Sequence, residues 1–113
     1  MIYYHNPRCS KSRQGLALLE ENKITPTVKE YLKEGLEVKE LDALFKRLGR
    51  EPLEVMRTKE DLFKELKLKG KDLSRKEWLK VIAEHPVLLE RPILDTGKKA
   101  AIGRPPEDLL TIL

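Results

Sequence analysis

Cys9 is the only cysteine in the chain, and the residues around it are of the kinds that make a thiol reactive. It stands in His5-Asn6-Pro7-Arg8-Cys9-Ser10-Lys11-Ser12-Arg13, after the short apolar run Ile2-Tyr3-Tyr4 and at the expected start of a helix. No acid precedes Glu20, whereas Arg8, Lys11 and Arg13 all lie within four residues of the sulfur. A helix N-terminus carries partial positive charge and ordinarily attracts Asp or Glu. Cations gathered there need an anion: a thiolate, an oxyanion ligand, or both. Only the thiolate attacks, and a helix N-terminus with nearby cations lowers the thiol pKa from about 8.5. Ser12 fills the second position of a C-x-x-C motif. Its hydroxyl can donate a hydrogen bond to the thiolate, but it cannot resolve a mixed disulfide. The spacing therefore predicts monothiol chemistry, with an outside thiol completing the cycle.

Other readings of the same residues have less behind them. A buried structural cysteine would have apolar neighbours, and those of Cys9 are cationic and polar. One cysteine and two histidines fall short of a zinc-ligand pattern, so no metal is expected. His5 could sit beside the thiolate as a cation or hydrogen-bond partner, or it could be a satisfied histidine at a strand end. His85 precedes Pro86, where a helix C-terminus accounts for it. Arg57, Arg91 and Arg104 each fall where an element ends, which is where ligand-binding groups gather. Arginine suits multi-pronged recognition of an oxyanion. Singly each reads as a surface arginine, and only together with Cys9 do they suggest a site. Arg91-Pro92 enters a strand candidate, where a thioredoxin-like fold places a cis-proline facing its active cysteine.

The elements that must position these residues can be read from periodicity and breakers. Residues 1–5 read as a buried strand and 10–22 as a helix with Leu16, Leu19 and Ala17 or Leu18 inward. Residues 27–31, after Pro26, read as a second strand, giving β-α-β with a parallel pair and a right-handed crossover. Val38, Leu41, Leu44, Phe45 and Leu48 repeat at helical spacing, and Gly49 is a C′ stop. Short helices are predicted over 53–56 and 59–66, with a loop over 67–72 around Gly70. Ser74-Arg75-Lys76-Glu77 is a capping box, with Leu73 and Trp78 spaced for a hydrophobic staple. That helix runs to Glu84. Residues 93–95 and 99–102 flank Thr96-Gly97 as a hairpin, and Pro105-Pro106 lead into a last helix over 107–112. With the central helices taken out, a thioredoxin-like βαβ…ββα core remains. The predicted class is α/β: a mixed four-stranded sheet, with a helical insertion between the second and third strands, in one domain of residues 1–113.

Composition narrows the function. The chain has 113 residues, 40% hydrophobic and 37% charged, with a net charge of +4. Lys and Glu alternate along predicted helix faces, which reads as solvated i,i+4 pairing. No lysine run or aromatic ladder points to nucleic acid. No apolar run approaches the ~18–20 residues of a membrane span, and residues 1–5 do not open a signal pattern. A cytoplasmic monomer is the expectation.

The stretch from His5 to Arg13 resembles the H-N-P-x-C-x-x-S-R signature of the glutaredoxin-coupled arsenate reductases. Glu90-Arg91-Pro92-Ile93 and Ile102-Gly103-Arg104-Pro105-Pro106-Glu107 are similar to the family's two later signatures. Val55-Met56-Arg57 resembles its central arginine segment. The resemblance implies a thioredoxin-like core and Cys9 as the nucleophile that attacks arsenate. It implies that Arg57, Arg91 and Arg104 bind the oxyanion. It further implies that His5 helps lower the thiol pKa and Ser12 helps hold the thiolate, with Asn6, Arg8, Arg13 and Pro92 in support. No cofactor is bound in this scheme. Glutathione is the co-substrate, and with glutaredoxin it regenerates the cysteine and releases arsenite. Two alternatives stay open: a glutathione-linked thiol oxidoreductase with another substrate, and a regulatory module of the Spx type that binds RNA polymerase. The phosphatase-like arsenate reductases are excluded, because their C-x5-R motif would need arginine where Gly15 stands.

Overall fold

The computed structural model describes residues 1–113. Two compact units are formed, one from residues 1–34 and 91–113, the other from residues 35–90.

The first unit holds the sheet. Its strands are β1 (Ile2–Tyr4), β2 (Thr27–Lys29), β3 (Ile93–Asp95) and β4 (Ala100–Ile102), in the order β2-β1-β3-β4. β1 runs parallel to β2, with Tyr3 opposite Val28, and antiparallel to β3, with Tyr3 opposite Leu94. β3 and β4 form the expected hairpin. Its turn is held by the Asp95 carboxylate, which accepts from the Gly97 N–H at 2.8 Å, with Gly97 at φ +94°. Helix α1 (Ser10–Glu21) packs against the C-terminal segment Pro106–Ile112. Tyr3, Leu19, Leu94 and Leu109 form the core beneath them. The order βαβ then ββα is the thioredoxin-like arrangement expected from the sequence.

In this unit two elements differ from expectation. β2 ends at Lys29, and Tyr31–Glu34 forms a four-residue helix, α2, instead of continuing the strand. The Glu34 carboxylate accepts from the Glu30 N–H at 2.9 Å and so caps that turn. Residues 106–112 wind as a 3₁₀ helix rather than an α-helix. Its first bond, Asp108 N–H to the Pro105 carbonyl at 3.0 Å, already spans three residues, and the short proline-led segment keeps that tighter winding.

The second unit is helical. α3 (Val38–Leu48) buries Leu41, Leu44 and Phe45, and ends at Gly49 in the left-handed region at φ +67°. α5 (Arg75–Glu84) begins with the predicted box: Ser74 Oγ accepts from the Glu77 N–H, and the Glu77 carboxylate accepts from the Ser74 N–H. α3 and α5 pack together, and Arg75 reaches Asp42 at 3.0 Å. Between them lie the 3₁₀ turn Pro52–Val55, in place of a helix over 53–56, and α4 (Asp61–Glu65), shorter than 59–66. The Phe63 ring stacks on Trp78 with centroids 6.4 Å apart. No helix in either unit is long and apolar enough to cross a membrane.

Candidate active site

The site begins at the C-terminal end of β1. The ladder continues one residue past the strand, with His5 N–H donating to the Lys29 carbonyl at 2.9 Å. The chain then turns sharply. The Asn6 side-chain oxygen accepts from the Arg8 N–H at 3.1 Å, and the Asn6 carbonyl accepts from the Cys9 N–H at 3.0 Å. An asparagine bonding two residues ahead shapes such a turn without regular structure. Arg13 braces it from the helix side, donating to the Pro7 carbonyl at 2.8 Å.

Cys9 is the N-cap of α1, with extended backbone, no side-chain cap bond, and no acid in the first helical turn. Its thiol pKa is lowered. Partial burial, the largest influence, opposes this. The Ser12 backbone N–H, the Arg91 guanidinium and the Lys11 N–H favour the thiolate and together outweigh it, with the Arg91 charge adding to the effect. Arg104 approaches from β4, donating to the sulfur from Nη2 at 3.8 Å. Its Nε donates to the Arg91 carbonyl at 2.7 Å, so the two arginines are tied together. Their residues flank Pro92 and Gly103, which are joined by a Gly103 N–H to Pro92 carbonyl bond of 2.9 Å. The Arg91-Pro92 peptide is cis, and Pro92 is buried.

The Ser12 hydroxyl is engaged away from the sulfur, and His5 follows the second of its two readings, a satisfied histidine at a strand end. The Ser12 hydroxyl accepts from the Asn6 N–H at 3.0 Å and lies 2.7 Å from His5 Nδ1. It is the Ser12 backbone N–H that favours the thiolate. The reason is directional: the N–H groups of a first helical turn point towards the cap, while helical side chains lean back along the chain. His5 is buried, and burial, the largest influence, lowers its pKa; Glu30 pulls it up and Arg13 pushes it down further. It is therefore a neutral imidazole near pH 7, bonded to Ser12, not a cation beside the thiolate.

The first unit thus brings Cys9, Ser12, Arg91, Arg104, His5, Asn6, Arg13 and Pro92 together. The Arg8 side chain is exposed. Arg57 belongs to the second unit, where its guanidinium pairs with Glu60 and lies 4.0 Å from Glu90. An oxyanion on Arg57 would compete with both carboxylates. Tyr3 and Gly15 escaped the sequence reading, although a glycine inside a helical run is a signal of close packing.

A depressed thiol pKa has a direct readout. The rate of Cys9 alkylation by iodoacetamide should titrate with a midpoint below the free-thiol value of about 8.5. A midpoint at or above that value would show that the N–H groups and arginines do not hold a thiolate.

Comparison with known proteins fits this geometry. The model of the ArsC family matches residues 4–112. An arsenate reductase of Haemophilus influenzae is 51% identical over 114 residues, spanning 100% of this chain and 98% of that protein. An arsenate reductase of Neisseria meningitidis serogroup A is 47% identical over 111 residues, spanning 97% of this chain and 95% of that protein. Among solved structures, the arsenate reductase from Vibrio cholerae superposes with a TM-score of 0.95 at 49% identity, covering 99% of this chain and 96% of that one.

Proposed function

The chain belongs to the ArsC family, and from that premise we propose that it reduces arsenate to arsenite through a covalent adduct on Cys9, with glutathione and glutaredoxin as the external reductant. The observation that carries this is a single cysteine at the N-cap of a helix with no acid in its first turn, whose sulfur is approached by Arg91 and Arg104.

The chemistry follows from charge. Arsenate and a thiolate are both anions. Two unit charges 4 Å apart repel by roughly 4 kcal/mol at an effective dielectric near 20. Fixed donors that neutralise both remove that obstacle and cost no reorganisation as the bond forms. In this reading Arg91 and Arg104 bind the oxyanion beside the thiolate; Arg57, whose pairing with Glu60 an oxyanion would have to displace, is the third arginine that the family resemblance implies. The Cys9 sulfur bonds arsenic and one arsenate oxygen departs as water. Two external thiols then supply the two electrons that take arsenic from the +5 to the +3 state, leaving as a disulfide while a second arsenic oxygen departs as water, and water finally cleaves the sulfur–arsenic bond to release arsenite and return the Cys9 thiol. No second cysteine exists to do this internally. The protein would work as a monomer in the cytoplasm, where glutathione is abundant and thiols are kept reduced.

The same lone thiol favours one alternative, action on glutathione mixed disulfides. A coupled assay with glutathione, glutaredoxin, glutathione reductase and NADPH separates the two. Arsenate-dependent NADPH oxidation is expected. Oxidation driven by a glutathionylated peptide and indifferent to arsenate would move the assignment to the alternative.

A further inference from the structure

Tyr3 is fully buried on β1, yet its hydroxyl is aimed at the first turn of α1. The phenol donates to the Ser12 carbonyl at 2.5 Å. The Ser12 hydroxyl and the Leu16 N–H lie within hydrogen-bonding reach of the same oxygen, which is buried enough to push the phenol pKa up to about 12. The phenol therefore stands on the rung of the helix that joins residues 12 and 16. The room for it exists because residue 15 is glycine. A Cβ there would collide with the Tyr3 hydroxyl and press on Leu109 Cδ1 at 3.0 Å and Pro92 Cγ at 3.2 Å. Glycine is the poorest helix former after proline, so Gly15 inside α1 needs a packing reason, and the phenol supplies one.

Ser12 is consequently gripped from three directions. Tyr3 holds its carbonyl, while His5 and the Asn6 N–H hold its hydroxyl. Tyr3 and His5 are two residues apart at the end of β1, so both face α1. What remains of Ser12 is its N–H, in the first turn of the helix that begins at Cys9, where it favours the thiolate.

We infer that Tyr3 is a positioning residue for the nucleophile: its hydroxyl, seated in the gap left by Gly15, holds the Ser12 carbonyl and with it the first turn of α1, whose N-terminus Cys9 occupies. The inference rests on Cys9 being the nucleophile, but not on arsenate being its substrate. The charged groups around the sulfur are Arg91 and Arg104, with Arg13 and the neutral His5 nearby on the same turn. Removing the phenol oxygen leaves all four in place.

The test is the alkylation-rate titration of Cys9 in Tyr3→Phe. Losing one buried hydrogen bond that orients a thiolate donor should raise the midpoint by about half a pH unit. Leu94→Val serves as the control, since it loosens the same core cluster without touching the hydroxyl. It should lower Tm and leave the midpoint where it was. A Tyr3→Phe midpoint equal to wild type, or an equal shift in Leu94→Val, overturns the inference. The seat itself is read by a double-mutant cycle in Tm. Gly15→Ala should cost clearly less in the Tyr3→Phe background than in wild type, and additive losses would refute the seat. Because the titration contains no arsenate, a chain that shows the shift but fails the coupled assay loses the substrate and keeps the positioning residue.

Discussion

Cys9→Ser should bring arsenate-dependent NADPH oxidation down to the rate without enzyme, a loss of at least about 10³-fold. A serine hydroxyl near neutral pH is protonated, so attack would require a base to take its proton. The structure offers none at that spot. His5 Nδ1 is engaged with Ser12 at 2.7 Å, and the first turn of α1 carries no acid. The N–H groups and arginines around the sulfur stabilise an anion already formed, which is the opposite of what a neutral hydroxyl needs. Activity within tenfold of wild type would remove Cys9 from the mechanism. The same variant reports on stability. The folded thiol pKa is depressed, so ionisation of Cys9 stabilises the fold. That contribution is fully present above the unfolded value of about 8.5 and is lost as pH falls through the folded value. The Tm advantage of wild type over Cys9→Ser should therefore grow as pH rises towards about 8.5 and level off beyond it.

Arg91→Ala should act on two measurements at once. Its guanidinium favours the thiolate, and its carbonyl anchors Arg104. Because the anchor is backbone, the substitution removes the charge without cutting Arg104 loose. The alkylation midpoint of Cys9 should move up, since the largest side-chain influence favouring the thiolate is gone. In the arsenate assay kcat/KM should fall by about 10²–10³-fold, the usual cost of removing a fixed donor from a site of developing negative charge. Arg91→Lys should recover only part of either effect, because an ammonium is a point charge and cannot span a sulfur and an oxyanion with a planar fork. An unchanged midpoint in Arg91→Ala would show that Arg91 does not hold the sulfur. A lower kcat/KM with a shifted midpoint but normal arsenate binding would confine Arg91 to the thiolate.

Much of this molecule was legible in its residues because the deciding forces are local. The capping box at Ser74 and Glu77, the stop at Gly49 and the hairpin around Gly97 depend on atoms a few residues apart. So does the placement of Cys9 at a helix start, which the turn at Asn6 secures. Where the reading failed, equally local contacts competed with the periodicity and won. The strand through Tyr31 stopped early because Glu34 caps a turn at Glu30. The helices near Leu53 and Glu107 tightened into 3₁₀ winding behind prolines at their first positions.

By itself the sequence determined that one thiol, rich in nearby cations and without a resolving partner, sits at the start of the first helix. Charge balance and spacing suffice for that. Only the tertiary structure decided which groups hold the sulfur. β3 lies beside β1 and β4 beside β3, so Arg91 and Arg104 arrive at Cys9 from more than eighty residues away in the chain. Arg8 and Lys11, the nearest cations in sequence, have exposed side chains, and Lys11 contributes its backbone N–H. The same packing turns the Ser12 hydroxyl towards β1 and leaves its N–H for the thiolate. Helical geometry sends side chain and N–H in different directions, and only the strand packed behind the helix settles which one faces the sulfur.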